Sequence, residues 1–192
     1  MRIVAGELKG RAIDAPDGTD TRPTTDRVRE ALFSSLFSLR GGFEGAVVLD
    51  AFAGSGALGI EALSRGASRA VFYELDPKAA KVLSRNVSAC KLGQDRATVI
   101  RRDVLKTPPT SAEGPFDLLF LDPPYALHAQ KVVDFLERVK AGGGLSPDAI
   151  VVYEHALKSA DEVASAFEDA GIEVIAHKKY GKTGVTMVII PT

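Results

Sequence analysis

From residue 45 onward the chain alternates apolar, strand-like runs with helix-like segments, and that rhythm restricts the fold more than any other feature of the sequence. "AVVLDAF" (46–52) is continuously apolar, as a strand buried on both faces must be. "RAVFYEL" (69–75), "ATVIRRD" (97–103), "FDLLFLD" (116–122) and "AIVVYEH" (149–155) follow at intervals that each leave room for a crossover helix. The helical candidates are 57–65, 77–91, 127–140 and 159–170. A βαβα order implies a mostly parallel sheet with helices on both faces. "IEVIAHKKYG" and "GVTMVIIPT" are two β-branched runs joined through "YGKTG", a hairpin signal that brings the last strand in antiparallel.

Residues 1–44 read differently and form an N-terminal extension to a body over 45–192. "RIVAGELKGRAIDAP" suggests a short hairpin. "TTDRVREALFSSLFSL" suggests an amphipathic helix with Val28, Leu32, Leu36 and Leu39 on one stripe and Thr25 or Asp26 near its start. A chain of 192 residues is long enough for one well-filled core. No apolar run is long enough to span a bilayer and no secretory signal is evident, so a cytoplasmic protein without membrane contact is expected. The single cysteine, Cys90, excludes a disulfide framework and reads as a small semi-buried helical residue. His128, His155 and His177 are scattered, without metal-ligand spacing or a nucleophile partner, and read as surface or packing residues; no metal is expected. A net charge of −1 argues against a protein that holds naked nucleic acid by charge alone, although Arg2, Lys9, Arg11, Arg22, Arg27 and Arg29 recur near the N-terminus among acids.

Two segments carry chemistry. "LDAFAGSGALG" follows the first strand and opens a helix; Gly54, Gly56 and Gly59 spell G-x-G-x-x-G, and Glu74 ends the second strand 20 residues beyond Gly54. That is the pattern of a nucleotide-binding turn, with glycines for close backbone approach and an acid for ribose hydroxyls. Asp50, at the tip of the first strand, would repel a pyrophosphate and attract a ligand bearing ammonium and sulfonium groups. S-adenosyl-L-methionine is such a ligand. Asp103 could accept from an adenine amino group, or could cap a helix.

The second segment is "LLFLDPPY" (118–125) at the end of the fourth strand, where ligands bind in a doubly wound sheet. An exocyclic amine on a base is a poor nucleophile because its lone pair is delocalised into the ring. With Asp122 accepting one N–H and the Pro123 carbonyl the other, the lone pair is aimed, and positioning of this kind can lower a barrier by several kcal/mol. Prolines stiffen the carbonyl and remove competing donors. Tyr125 offers a face on which a base can stack. Asp122 either takes the amine proton or stabilises positive charge on nitrogen.

"DAFAGSGALGIEALSRGA" together with "LDPPY" resembles the amino-group methyltransferases that use S-adenosyl-L-methionine. The likeness is closer still to the RsmD family of bacterial enzymes, which methylate a guanine N2 in 16S ribosomal RNA. "RIVAGELKGR", "RPTTDRVREALF" (22–33) and "KYGKT" (179–183) carry it. The resemblance implies a Rossmann-like class I methyltransferase with seven mostly parallel strands and an antiparallel last strand. It implies that Asp50, Phe52, Gly54, Gly56, Glu74, Leu75, Asp103, Val104 and Asp122 line the cofactor site. Asp122, Pro123 and Tyr125 would then meet the reacting base. Arg22, Thr24, Arg27 and Tyr180 would contact RNA. The implied partner is 16S ribosomal RNA, within an assembling or assembled 30S subunit, met by a monomer. The tetrapeptide fits adenine N6, in RNA or DNA, as well as guanine N2. By pattern alone a nicotinamide-dependent oxidoreductase and a non-catalytic RNA-binding module remain alternatives.

Overall fold

The computed structural model describes residues 1–16 and 26–191. They fall into two compact units, divided between Asp103 and Val104.

In the first unit lie α1 (Asp26–Arg40), β1 (Val47–Asp50), α2 (Ala57–Ser64), β2 (Arg69–Tyr73), α3 (Pro77–Ala89) and β3 (Ala97–Ile100). β2 pairs in parallel with both β1 and β3. The second unit carries β4 (Phe116–Leu121), α4 (Ala129–Ala141), β5 (Leu145–Ala156), α5 (Ala160–Asp169), β6 (Glu173–Tyr180) and β7 (Thr183–Ile190), with a short 3-10 turn at Leu157–Ser159. β4 and β5 run parallel, and β7 is antiparallel to both β5 and β6. Within the first unit the strand order is β3-β2-β1 and within the second β4-β5-β7-β6, with β7 the one reversed strand. This is the expected α/β architecture.

Local sequence explains the elements. Asp76 caps α3, accepting from the Lys78 and Ala79 amides at 2.9 and 2.8 Å, with Pro77 in the first turn, where its missing N–H costs nothing. The β6–β7 turn is Gly181-Lys182, and Gly181 has φ +64°, the left-handed conformation a two-residue hairpin asks of its first position. β1 and β4 supply fully buried apolar side chains, Val48, Leu49, Leu118, Leu119 and Phe120 among them.

Three expectations are refined or corrected. The N-terminal hairpin is present but irregular, with one antiparallel bridge, Arg2 to Ala12, and amides of Ile3, Gly10 and Ile13 donating to the carbonyls of Arg11, Ile3 and Met1. Its middle amides bond elsewhere: Val4 and Ala5 donate to the Glu61 carboxylate at 2.8 and 3.0 Å, and Glu7 donates to the Ser64 carbonyl at 2.7 Å. α1 buries Arg29, Leu32, Phe33 and Leu36, while Leu39 is 44% exposed; the stripe is turned by about one residue because the Arg29 head group is drawn inward. The first three strands end two to three residues early, so Glu74, Leu75 and Asp103 sit on loops beyond the strand tips. β5, in contrast, begins four residues early, at Leu145.

Candidate functional site

The first unit builds a polar cradle at the end of β1. Asp50 is 3% exposed, and its Oδ2 accepts the Gly59 amide at 3.0 Å. Burial pushes its carboxyl up to about 7, with the nearby Glu74 charge adding to the rise and the Gly59 bond opposing it. The negative charge expected at this tip is therefore present only in part at neutral pH. Glu74 ties two loops together: Oε2 accepts the Gly54 amide and Oε1 the Asp76 amide, both at 2.8 Å. An ionised carboxylate has about four lone-pair sites, so each oxygen keeps capacity for a further donor such as a ribose hydroxyl.

The three glycines do different things. At Gly54 (φ +53°) an added Cβ would meet nothing within 4 Å, so the turn borders open space there. At Gly56 (φ +80°) it would strike the Leu83 side chain at 2.3 Å, and at Gly59 the Phe72 ring at 2.3 Å. Gly56 and Gly59 let α2 close onto its surroundings, and Gly54 faces outward. Beside Glu74, Leu75 is 61% exposed, an unusual position for a large apolar side chain and a suitable one for covering a flat ligand. Phe52 and Asp103 are half-buried, and Val104, which opens the second unit, is buried.

Sequence reasoning missed what holds this cradle. Glu61, fully buried on α2, accepts the Val4 and Ala5 amides and Arg65 Nε at 2.8 Å, and pairs with Arg29 Nε at 3.4 Å. Arg29, itself fully buried, also bonds the Arg2 carbonyl and, at 2.9 Å, Asp26. Asn86 of α3 accepts the Asp14 amide and donates to the Asp14 and Ser55 carbonyls. One signal was available: "ALGIEALS" is apolar all round apart from Glu61 and Ser64, and an acid in such a helix goes inside with it.

In the second unit, Asp122 and Pro123 follow β4 directly; Asp122 is half-buried and Pro123 buried. Pro124 accepts the Leu127 amide at 2.8 Å, closing a turn that leaves Tyr125 51% exposed. The Tyr125 hydroxyl lies 2.8 Å from Thr183 Oγ1. Two motifs 58 residues apart, "DPPY" and "KYGKT", thus meet through one hydrogen bond. Tyr180, cross-strand from Thr183, is half-buried, and burial pushes its hydroxyl above the usual tyrosine range. Arg27 lies exposed on α1; Arg22 and Thr24 fall outside the described residues.

The histidines are less scattered than their spacing implies. His155 and His177 stack at 5.9 Å between centroids and share the Thr186 hydroxyl, at 2.9 and 3.1 Å. The Ala156 carbonyl lies 3.0 Å from His155 Nδ1 and can only accept, so that nitrogen bears the hydrogen. Nε2 then accepts from the Thr186 hydroxyl, whose oxygen accepts from His177 Nδ1. Burial holds His155 below the usual histidine range, consistent with this neutral form. His128 stays on the surface, 3.4 Å from Glu162.

Parallel strands with one reversed strand near the end, a glycine turn after the first and an acid beyond the second place the chain among the Rossmann-like class I methyltransferases. The ribosomal protein L11 methylase of Lactobacillus delbrueckii shares the fold, with TM-score 0.67 at 16% identity, over 86% of this chain and 80% of that one. Residues 1–189 match the model described as Conserved hypothetical protein 95, and the chain belongs to that family, the RsmD family. It is 37% identical over 157 residues to ribosomal RNA small subunit methyltransferase D of Haemophilus influenzae, covering 80% of this chain and 78% of that one. A solved Escherichia coli structure, yhhF, matches over 100% of this chain and 98% of its own, with TM-score 0.80 and 32% identity.

Proposed function

We propose that this chain transfers a methyl group from S-adenosyl-L-methionine to the exocyclic N2 amino group of a guanine in 16S ribosomal RNA, within an assembling or assembled 30S subunit, and that it acts as a monomer. The observation that carries the reading is the tetrapeptide Asp122-Pro123-Pro124-Tyr125, set immediately after β4 with its aromatic ring outward. The name of the Haemophilus relative supports an RNA of the small subunit as substrate.

The cradle of the first unit suits the donor. Glu74 keeps acceptor capacity for ribose hydroxyls, Gly54 borders open space, and Leu75 presents an exposed apolar side chain. Asp50, Phe52, Gly56, Asp103 and Val104 complete the assigned donor residues. When bound, S-adenosylmethionine supplies an electrophilic methyl group on a sulfonium. The remaining work belongs to side chains of this protein. Asp122 and the Pro123 carbonyl accept the two N–H groups of the amine and aim its lone pair. Tyr125 stacks on the base, a contact worth roughly 1–3 kcal/mol. Asp122 stabilises the positive charge that develops on nitrogen and stands where the departing proton can be received. Arg22, Thr24, Arg27 and Tyr180 are assigned to RNA.

The test is methylation of undermodified 30S subunits and of bare 16S RNA, followed by mass spectrometry of the nucleosides. N2-methylguanine is the expected product. N6-methyladenine would move the reaction to adenine, and no transfer to either RNA would overturn the reading.

A further inference from the structure

Positive charge is distributed unevenly between the two units, and what each cation does differs. In the first unit five arginines are engaged within the protein. Arg2 pairs with Asp26 at 3.3 Å, Arg11 bonds the Ala89 carbonyl at 2.7 Å, Arg29 and Arg65 meet Glu61, and Arg96 pairs with Glu7 at 2.7 Å. Residues 104–192 hold eight lysines and arginines against twelve acids, an acidic balance on its own. Half of those eight, Lys158, Lys178, Lys179 and Lys182, fall between the 3-10 turn and the β6–β7 turn, at the two ends of a span whose acids, Asp161, Glu162, Glu168, Asp169 and Glu173, lie between them in sequence. All four are exposed, and among the described residues none is ion-paired to an acid. Four unpaired cations gathered in an otherwise acidic unit repel one another, and an anionic partner would relieve that repulsion.

Their placement ties them to the tetrapeptide. Lys182 precedes Thr183, whose hydroxyl holds the Tyr125 ring. Lys178 lies on the same face of edge strand β6 as Tyr180, which is cross-strand from Thr183, while Lys179 is cross-strand from Gly184 on the opposite face. The Leu157 amide donates to the Lys182 carbonyl at 2.8 Å, bringing Lys158 to the same tip. A nucleotide stacked on Tyr125 carries its own phosphates within one nucleotide's length of that ring. Cations that contact those phosphates must therefore lie near the ring, and Lys182, next to Thr183, and Lys178, on the face of Tyr180 and Thr183, are placed for it, with Lys158 and Lys179 at the same tip of the unit.

We propose that Lys158, Lys178, Lys179 and Lys182 form a phosphate-contacting rim that grips the RNA backbone around the target nucleotide, with Tyr125 and Thr183 at its centre. The inference rests on RNA being the substrate. The rim positions the strand and reads no bases, since phosphate contacts carry no sequence information directly.

The test compares the wild-type protein with K158A/K178A/K179A/K182A on undermodified 30S subunits across a salt series. The quadruple variant should raise KM for the subunit at least tenfold and flatten the plot of log(kcat/KM) against log[salt] by about two to three units, as loss of several phosphate contacts requires. S-adenosylmethionine affinity and the thermal midpoint should stay unchanged, and the corresponding four arginine substitutions should restore most of the loss. The exposed stripe Lys78, Lys81 and Arg85 on α3 provides the contrasting variant, K78A/K81A/R85A. An unchanged KM and salt slope in the quadruple variant would overturn the rim, as would an equal loss in the α3 variant. A wild-type protein that methylates no RNA would instead overturn the functional reading itself, and the rim with it.

Discussion

The two units handle polar groups in opposite ways. In residues 1–103 the groups assigned to a small ligand are enclosed or braced: Asp50 is buried, Glu74 is fixed by two amides, and a buried Glu61–Arg29–Arg65 cluster fastens the N-terminal residues to α2. In residues 104–191, although Pro123 is buried, the groups assigned to a macromolecule reach the surface: Tyr125 is half-exposed with its hydroxyl against Thr183, and four lysines stand free of acids. A site for a small ligand gains from walls whose geometry is set before binding, because ordering them afterwards would subtract from affinity. A surface that meets folded RNA needs reach and charge, and burial would remove both. The contrast can be broken most sharply where the first unit is most enclosed.

Removing one partner of a buried ion pair leaves an uncompensated charge and costs roughly 3–5 kcal/mol. Glu61→Ala should therefore lower the thermal midpoint by about 10 °C for a chain of this size, and it also strips the Val4 and Ala5 amides of their acceptor. Calorimetry decides the point. A midpoint within 1–2 °C of wild type would mean the cluster does not hold the N-terminal residues.

The matching change in the second unit should leave stability intact and remove chemistry. Asp122→Ala is expected to reduce kcat by about 10²–10³-fold, some 3–4 kcal/mol of barrier, while S-adenosylmethionine binding stays within a few-fold of wild type. Equal losses in turnover and donor affinity would place Asp122 on the donor instead of the base.

Asp50 tests whether enclosure serves a ligand at the expense of stability. Its folded-state pKa of about 7 stands above the unfolded value of 3.8, so the folded protein prefers the protonated form. The corresponding stability is fully present below about pH 4 and is lost as pH rises through 7. Asp50→Asn retains an acceptor for the Gly59 amide and cannot ionise. It should make the free protein more stable at pH 8 than wild type while weakening S-adenosylmethionine about tenfold. Wild-type affinity should in turn rise with pH between 6 and 8, as the carboxylate forms. Calorimetric titration at both pH values measures this, and a flat profile would separate Asp50 from the ligand's ammonium.

What the sequence made legible divides along a physical line. β1 and its glycine turn and the hairpin joined through "YGKTG" are local events, written in periodicity and turn chemistry, and both are present. The Glu61 cluster and the Thr186 bridge between His155 and His177 depend on which elements meet. His177 is opposite Thr186 only because β6 pairs with β7 in that register, with a shift between Val174 and Ala176 that no local pattern announces. The short β1 and β2 follow from the same cause: Glu74 takes the Gly54 amide, and the chain leaves the sheet to make that bond.

The smallest expected effect is also the most specific to the open region. Thr183→Val keeps the side chain's shape and removes the hydroxyl that meets Tyr125 at 2.8 Å. A neutral, partly exposed hydrogen bond contributes about 0.5–1.5 kcal/mol, so turnover should fall roughly threefold to tenfold. The thermal midpoint and S-adenosylmethionine affinity should not move, because Thr183 lies outside the donor residues. Tyr125→Phe should give a loss of the same size, and the double variant should lose no more than either single one, as expected when two groups act only through each other. Additive losses would show that the Tyr125 ring is held by its neighbours on the tetrapeptide, and that the joining of the two motifs is a packing contact without a part in turnover.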